Sequence, residues 1–274
     1  MSLLAYVGGK YKLKKKIIEH IPIDYIKKNK VNYYEPFVGS GAIVSYLNEL
    51  DILQGKIIIN DLDSELINIY KILKDKSQRD IFINKIKKIE FIFDNLKTDK
   101  KRKKYFNDLK IEYKNCSDKN KKSLLKIIIS KKSYSGIINS TFSYLNHRVL
   151  TKTLNPIINL LDNKNIKIYN KDYRFILNKV KKGDFVYMDP PYNVKDVKQF
   201  YKYIFSEDDF ISFFNFLDKL NMMGVLFLVS LNNDEWVKEK LKKYKIIEFN
   251  KKSGINNLYK TLNNEILIMN TPSE

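Results

Sequence analysis

Asp184-Phe-Val-Tyr-Met-Asp-Pro-Pro-Tyr192 decides how the rest of this 274-residue chain is read. Its first half is an apolar, β-branched and aromatic run of the kind that forms a fully buried central strand. The run stops at Asp189, Pro190, Pro191 and Tyr192. Proline has no N–H to give a ladder, so two in succession take the chain out of the sheet in a stiff, extended turn. In an open α/β sheet, ligands sit at the carboxyl ends of central strands. This end presents a carboxylate, a rigid carbonyl and an aromatic face.

Those groups suit an exocyclic amine on a nucleobase, a poor nucleophile because its lone pair is delocalised into the ring. Asp189 accepting one amino hydrogen and the Pro190 carbonyl the other would draw the nitrogen toward tetrahedral geometry. Tyr192 would stack on the base, which must have left its duplex to arrive. The plain alternative is a strand ending in a Pro-Pro turn, with Tyr192 as packing. Asp-Pro-Pro-Tyr at a strand end resembles the amino-methyltransferase motif of the DNA adenine methyltransferases. The resemblance implies catalytic roles for Asp189, Pro190, Pro191 and Tyr192.

The length allows one large α/β domain with an insertion, or two small domains. The single Cys116 excludes an intramolecular disulfide and fits a reducing compartment. No apolar run approaches the roughly 18–20 residues of a membrane span, and the strongest, Val225–Leu231, is strand length. The first ten residues lack a basic segment before their apolar ones, so no signal peptide is expected and the expected location is the cytoplasm. The net charge of +20 suggests a polyanionic partner. Part of it reflects a composition rich in Lys, Ile, Asn and Tyr, yet its distribution is uneven. Lys71 to Lys132 holds 21 Lys or Arg against 8 Asp or Glu, a net +13, which points to a nucleic-acid surface there.

Three upstream elements read as a cofactor site. Ala5–Lys10 carries Tyr6 and a Gly-Gly pair before Lys10, without the spacing of a phosphate loop. A strand over Asn32–Val38 runs into Gly39-Ser-Gly41 and a helix over Ala42–Leu50, the turn that brings a cofactor to backbone at a helix start. A second strand, Lys56–Asn60, ends at Asp61, 20 residues past Gly41, where an acidic side chain can accept from ribose hydroxyls. Asp61 capping the helix Ser64–Leu73 is the competing reading, with Asp63 or Ser64 equally able. As a set, Gly-Gly-Lys, Glu-Pro-Phe-Val-Gly-Ser-Gly and Asn-Asp-Leu-Asp-Ser-Glu are similar to the adenine methyltransferase motifs that hold S-adenosylmethionine (SAM). The resemblance implies SAM contacts from Tyr6, Lys10, Phe37, Gly39, Gly41, Asp61 and Asp189. Phe37 as ordinary core is a close alternative.

From Lys71 to about Leu150 the strand pattern gives way to helical spacing, with the densest charge at Lys97–Lys104. A solvated helical hairpin and direct phosphate contact are equally compatible with that run. Ser130–Asn146 interleaves small polar residues with Tyr134, Phe142 and Tyr144 behind Lys131 and Lys132, a pattern suited to a hairpin laid against DNA. It resembles the family's Tyr-Asn-Gly recognition hairpin, with Tyr134-Ser135-Gly136 in that place. Ser135 replaces the usual Asn, and Asn139 stands where GATC-reading relatives carry Arg; Arg148 lies further along.

The α/β pattern resumes with a strand at Ile166–Asn170 and with Asp172-Tyr173, where the family often sets an aromatic against the SAM adenine. Ser206 and Asp209 form a capping-box pattern. Strands follow at Val225–Leu231, Tyr244–Asn250 and Glu265–Asn270, the last two as an antiparallel pair. His20 and His147 have no partner at metal-ligand spacing, so no metal is expected. The resemblance implies a Rossmann-like α/β sheet of about seven strands, formed by residues 1–70 and 151–274, with a mainly helical DNA-recognition domain at 71–150. The expected activity is SAM-dependent methylation of adenine N6 in duplex DNA, by a monomer or weak dimer with a possible restriction enzyme partner. An RNA adenine methyltransferase and a catalytically silent DNA-binding relative are the alternatives.

Overall fold

The computed structural model describes residues 3, 10–144, 153–192, 205–249 and 265–270. Among the described residues, seven strands form one sheet: β1 (Tyr33–Glu35), β2 (Ile57–Asn60), β3 (Ile166–Tyr169), β4 (Phe185–Met188), β5 (Leu226–Asn232), β6 (Lys245–Phe249) and β7 (Glu265–Met269). Their order is β3-β2-β1-β4-β5-β7-β6. The expected α/β class and strand number are met. β1 is shorter than the expected Asn32–Val38, because Pro36 has no N–H to extend the ladder. Every residue of β2, β4 and β5 is buried, so these strands read as continuous apolar runs rather than alternating ones.

β1 runs parallel to β2 and β4, and β4 parallel to β5. β7 then lies antiparallel between β5 and β6, pairing Asn232 with Glu265 on one side and Ile246 with Ile268 on the other. The two last strands thus form the expected antiparallel pair, and the later one in sequence takes the inner place.

The helices are α1 (Lys14–Ile18), α2 (Ile23–Lys28), α3 (Ala42–Glu49), α4 (Ser64–Lys74), α5 (Lys76–Asn95), α6 (Asp99–Asn115), α7 (Lys119–Lys132), α8 (Asn155–Leu161), α9 (Glu207–Met222) and α10 (Glu235–Leu241). Asp63, Asp75, Thr98, Asp118 and Asp234 each accept amide N–H bonds at a helix start. Ser206 and Asp209 make the reciprocal capping box expected for α9.

The chain packs as two compact units. One comprises Met1–Lys14, Gly39–Asp51 and Asn60–Asn170; the other Lys15–Val38, Ile52–Ile59 and Lys171–Glu274. In the first, α7 is the central helix. It is buried from Ser123 to Ser130 and packs against α4, α5 and α6. Its middle supplies Leu124, Leu125, Ile127, Ile128 and Ile129 to the core, while its lysine-rich first turn stays exposed. In the second, α9 lays Phe210, Phe213, Leu217 and Leu220 into the core and packs against β5.

Candidate active site

Within the second unit, β1 and β4 are neighbours in parallel register, Tyr34 opposite Val186. The chain leaves β1 toward β2 on one side, while β4 is followed by β5 on the other. That reversal is the topological switch point of an open sheet, where ligands bind beyond the strands' carboxyl ends. Both β1 and β4 stop there at prolines. Asp189 and Pro191 are half-buried, Pro190 is buried, and Tyr192 is 5% exposed. The other aspartate of the stretch, Asp184, has a different task. It is buried at the strand's start, accepting from Asn32 Nδ2 at 3.0 Å and the Lys181 amide at 2.9 Å, and burial pushes its pKa up.

Phe37 and Tyr173, both singled out from sequence, meet in the same unit with ring centroids 5.1 Å apart. Phe205 lies 6.0 Å and Phe213 6.0 Å from Phe37, and Phe216 stands edge-on to Tyr173 at 4.9 Å. Tyr173 opens a 3-10 turn, Tyr173–Asn178, in which the Arg174 amide donates to the side chain of Asp172. Phe205 and Phe213 were missed by sequence reasoning. The aromatic spacing Phe210, Phe213, Phe214 along α9 signals a buried helix face, and nothing in it distinguishes a cluster that Phe37 joins.

Gly39 and Gly41 belong to the first unit, and both need left-handed backbone, with φ of 47° and 67°. A Cβ on Gly41 would meet the Tyr70 hydroxyl at 2.5 Å, whereas one on Gly39 would meet nothing within 4 Å. Gly41 is therefore a packing requirement of the turn, while Gly39 faces open space. The Gly39 amide donates to Asp61 Oδ2 at 3.0 Å, and the Asp63 amide donates to Asp61 Oδ1 at 2.9 Å. Burial raises the Asp61 pKa from 3.8 to about 6, opposed by those two amide bonds and by the charge of Lys126. The cap of α4 is Asp63, whose Oδ1 accepts from the amides of Glu65 and Leu66. Asp61 thus has no capping role. Asn170, just past β3, donates to the carbonyls of Asp61 at 2.8 Å and Leu62 at 3.0 Å, a clamp that sequence reasoning did not find.

The segment after α7 in that unit is a short hairpin. Ser133 bridges to Phe142, the Tyr134 amide donates to the Thr141 carbonyl, and the Ser143 amide to that of Lys132. Gly136 sits in its tip with φ 78°, and Ser140 Oγ donates to the carbonyls of Tyr134 and Ile137 at 2.8 Å each. Phe142 is the anchor, buried among Phe93, Phe106 and Tyr144. Tyr134 is 51% and Tyr144 48% exposed, and Asn139 is exposed too. Ser135 lies in the 3-10 turn Tyr134–Gly136. Lys131 is half-buried, and Lys132 is buried with Nζ 5.2 Å from the Phe93 ring centre, which lowers its pKa by desolvation. The charge run lies on α6 and just before it, where Lys97, Lys100, Lys101, Lys103 and Lys104 are all exposed.

Lys10 is buried in a 3-10 turn, Lys10–Lys12, of the first unit. Tyr6 and Arg148 lie outside the described residues. Among the described residues no group of three or more His, Cys, Asp or Glu is placed to hold a metal, and no helix is long and apolar enough to cross a membrane. A cavity of about 610 Å³ lined by Tyr25, Lys182, Gly183, Gly224 and Tyr244 lies at the amino ends of β4 and β5, opposite the switch point.

Residues 6–255 match the family described as D12 class N6 adenine-specific DNA methyltransferase. The chain is 29% identical over 244 residues to the type II methyltransferase M.MjaIII of Methanocaldococcus jannaschii, covering 83% of this chain and 82% of that protein. To the type II methyltransferase M1.LlaDCHI of Lactococcus lactis subsp. cremoris it is 26% identical over 287 residues, covering 97% and 93%. A solved structure of precorrin-6y C5,15-methyltransferase from Geobacter metallireducens is similar at 8% identity with a TM-score of 0.41, over 96% of this chain and 87% of that one. The family match spans nearly the whole chain and concerns DNA, which sets aside the RNA alternative. The chain belongs to the D12 class N6 adenine-specific DNA methyltransferases.

Proposed function

We propose that this enzyme methylates N6 of a flipped adenine at a short site in duplex DNA, with Asp189, Pro190 and Tyr192 holding the base. The observation that carries the reading is the placement of Asp189-Pro-Pro-Tyr192 where β4 ends beside β1 at the switch point. Asp189 and the Pro190 carbonyl accept the two amino hydrogens. Pro191 stiffens the turn so that both acceptors keep their direction, and Tyr192 stacks on the ring. Hydrogen bonding to the amine and positioning supply most of the acceleration. No covalent intermediate on the protein is required, and Cys116 lies outside every motif used.

Family membership implies SAM as methyl donor, and the residues present fit it. Gly39 leaves open space before a left-handed turn, and Asp61 directs a half-buried carboxylate beside it. When bound, SAM supplies a methyl group on a positively charged sulfur. We assign Asp61 to the ribose hydroxyls, Gly39 and Gly41 to the backbone approach, Phe37 and Tyr173 to the adenine ring, and Tyr6 and Lys10 to the remaining contacts, with Asp189 bordering both substrates.

DNA recognition is assigned to residues 71–150, with residues 1–70 and 151–274 as the SAM-binding catalytic part. Exposed Tyr134 and Asn139 on the hairpin tip face the duplex, Ser135 and Arg148 are assigned further DNA contacts, and Lys131 and the α6 lysines contact phosphates. Lys132, buried over Phe93, supports the hairpin's base. Converting Lys101, Lys103 and Lys104 together to Gln should leave SAM affinity unchanged. It should reduce the slope of log affinity for DNA against log salt by about 0.9 for each phosphate left without its lysine. An unchanged slope would make the run a merely solvated face.

Asparagine is too short for the guanine fork an arginine makes and prefers the N6/N7 edge of adenine, a contact worth roughly 1–3 kcal/mol. The expected target is therefore a short, A/T-tolerant adenine site not confined to GATC. Sequencing DNA from an expressing host without its own adenine methylation tests both levels. Absence of N6-methyladenine would defeat the activity, and exclusive methylation at GATC would defeat the role of Asn139. The type II description of both relatives supports a restriction endonuclease partner with the same target. The enzyme acts as a monomer or weak dimer in the cytoplasm, where that DNA resides.

A further inference from the structure

Lys126 is among the most deeply buried charges described, 2% exposed at the middle of α7. A lone ammonium in such a place is costly unless it is paired and hydrogen-bonded. Its Nζ donates to Asp63 Oδ2 and, at 3.1 Å, to Glu65 Oε2. Tyr113 on α6 donates to the same Glu65 oxygen at 2.5 Å, Lys122 Nζ stands 3.8 Å from its other oxygen, and Ser123 Oγ donates to the Glu65 carbonyl at 3.2 Å. Asp63 is thus held at both carboxylate oxygens, Oδ1 by the first amides of α4 and Oδ2 by Lys126. Its own amide donates to Asp61 Oδ1, and the other Asp61 oxygen accepts from Gly39. A continuous line of charge-assisted bonds therefore runs from α7 to the glycine turn. α7 continues directly into the hairpin through Lys132, whose carbonyl accepts from Ser143.

We propose that Lys126 is a positioning residue for the cofactor site: it fixes Asp63, and through Asp63 it sets the orientation and charge of Asp61. The inference rests on the assignment of Asp61 to the SAM ribose. Lys126 does nothing to the reacting atoms. Without it, the carboxylates of Asp63 and Glu65 face each other in a buried space, and the turn is deprived of a positive charge that favours ionised Asp61. The charged and titratable groups around Asp61 in this network are Asp63 on the turn, Glu65 on α4, Tyr113 on α6, and Lys122 and Lys126 on α7. Of these, Lys126 is the cation in direct contact with Asp63. The consequence is chemical rather than merely mechanical, because the hydroxyl-accepting form of Asp61 is the ionised one.

The test measures SAM affinity by calorimetry between pH 5.5 and 8.5, on the full chain without DNA, for Lys126→Met, Lys126→Arg and the control Asp61→Asn. Lys126→Met should weaken SAM roughly threefold to tenfold at pH 7.5, and it should move the pH at which affinity declines upward from about 6. It should raise KM for SAM while leaving kcat at saturating SAM within about twofold. Lys126→Arg, which keeps the charge, should restore both affinity and pH midpoint. A purely structural Lys126 would lower the thermal midpoint without moving the pH midpoint. Should Lys126→Met not fold, Lys126→Met with Glu65→Gln removes one charge of each sign and carries the same expectation. If the variant folds and its affinity and pH midpoint match the parent while Asp61→Asn weakens SAM, the proposal fails alone. If Asp61→Asn also binds SAM normally, the assignment of Asp61 fails first and the proposal falls with it.

Discussion

Asp189→Ala is expected to lower kcat by at least about a hundredfold to a thousandfold, the effect of losing one preorganised hydrogen-bonding group aimed at the reacting centre. The fold should survive, with the thermal midpoint within roughly 2 °C. The turn's geometry comes from Pro190 and Pro191 and from β4, which is buried on both sides between β1 and β5. Asp184 ties the strand's start to its neighbours through Asn32 and Lys181. Asp189→Asn is the sharper variant. It keeps the shape of the side chain and one acceptor oxygen, so SAM binding should persist while most of the rate disappears. Single-turnover kinetics with saturating SAM and DNA separates the chemical step from binding. Turnover close to the parent's in the alanine variant would remove Asp189 from the mechanism.

Asp61→Ala should weaken SAM by about 1–3 kcal/mol, the value of a charge-assisted hydrogen bond, and the parent enzyme should show a matching pH dependence. Burial lifts the Asp61 pKa to about 6, above its ordinary 3.8. The sign follows from linkage. Between pH 4 and 6 the folded state holds a proton that the unfolded chain has released, so this group's effect on stability becomes less favourable as pH rises. Above pH 6 the buried carboxylate costs the fold on the order of 3 kcal/mol. Ligand hydroxyls that donate to the ionised form recover part of that cost. SAM affinity should therefore fall as pH drops through 6, to about a tenth at pH 5 of its value at pH 7.5. Titrations near pH 6 in buffers of different ionisation enthalpy should reveal proton release on binding. An affinity flat from pH 5 to 8 in the parent would contradict the ribose role.

Residues whose covalent nature dictates the backbone are legible in sequence. The paired prolines end β4, the glycines demand left-handed turns, and the spacing from Gly41 to Asp61 follows from strand, turn and helix lengths. Capping residues speak equally clearly at Ser206 and Asp209. Partnerships across the chain are not legible. Lys126 sits in Leu-Leu-Lys-Ile-Ile-Ile, where nothing local names Asp63 or Glu65, more than sixty residues earlier, as its partners. Asn170 reads locally as the end of a strand, and its bonds to Asp61 and Leu62 have no signature near it in sequence. Phe142 reads as a companion of Tyr134 and Tyr144 in facing DNA, yet it is the buried anchor of the hairpin, because Phe93 and Phe106 from two other helices close over it.

The inner place of β7 bears on how the chain is made. β5 is fully buried, mostly apolar and seven residues long, and among the described residues Glu265–Met269 covers its backbone on one side. During synthesis that side stays an unpaired, sticky template until the last described strand has emerged. β6, made earlier, has no partner in the sheet until β7 arrives. A product truncated before Glu265 should thus aggregate through β5 rather than persist as a slightly shortened enzyme, and slow completion of this edge is where a chaperone would be needed.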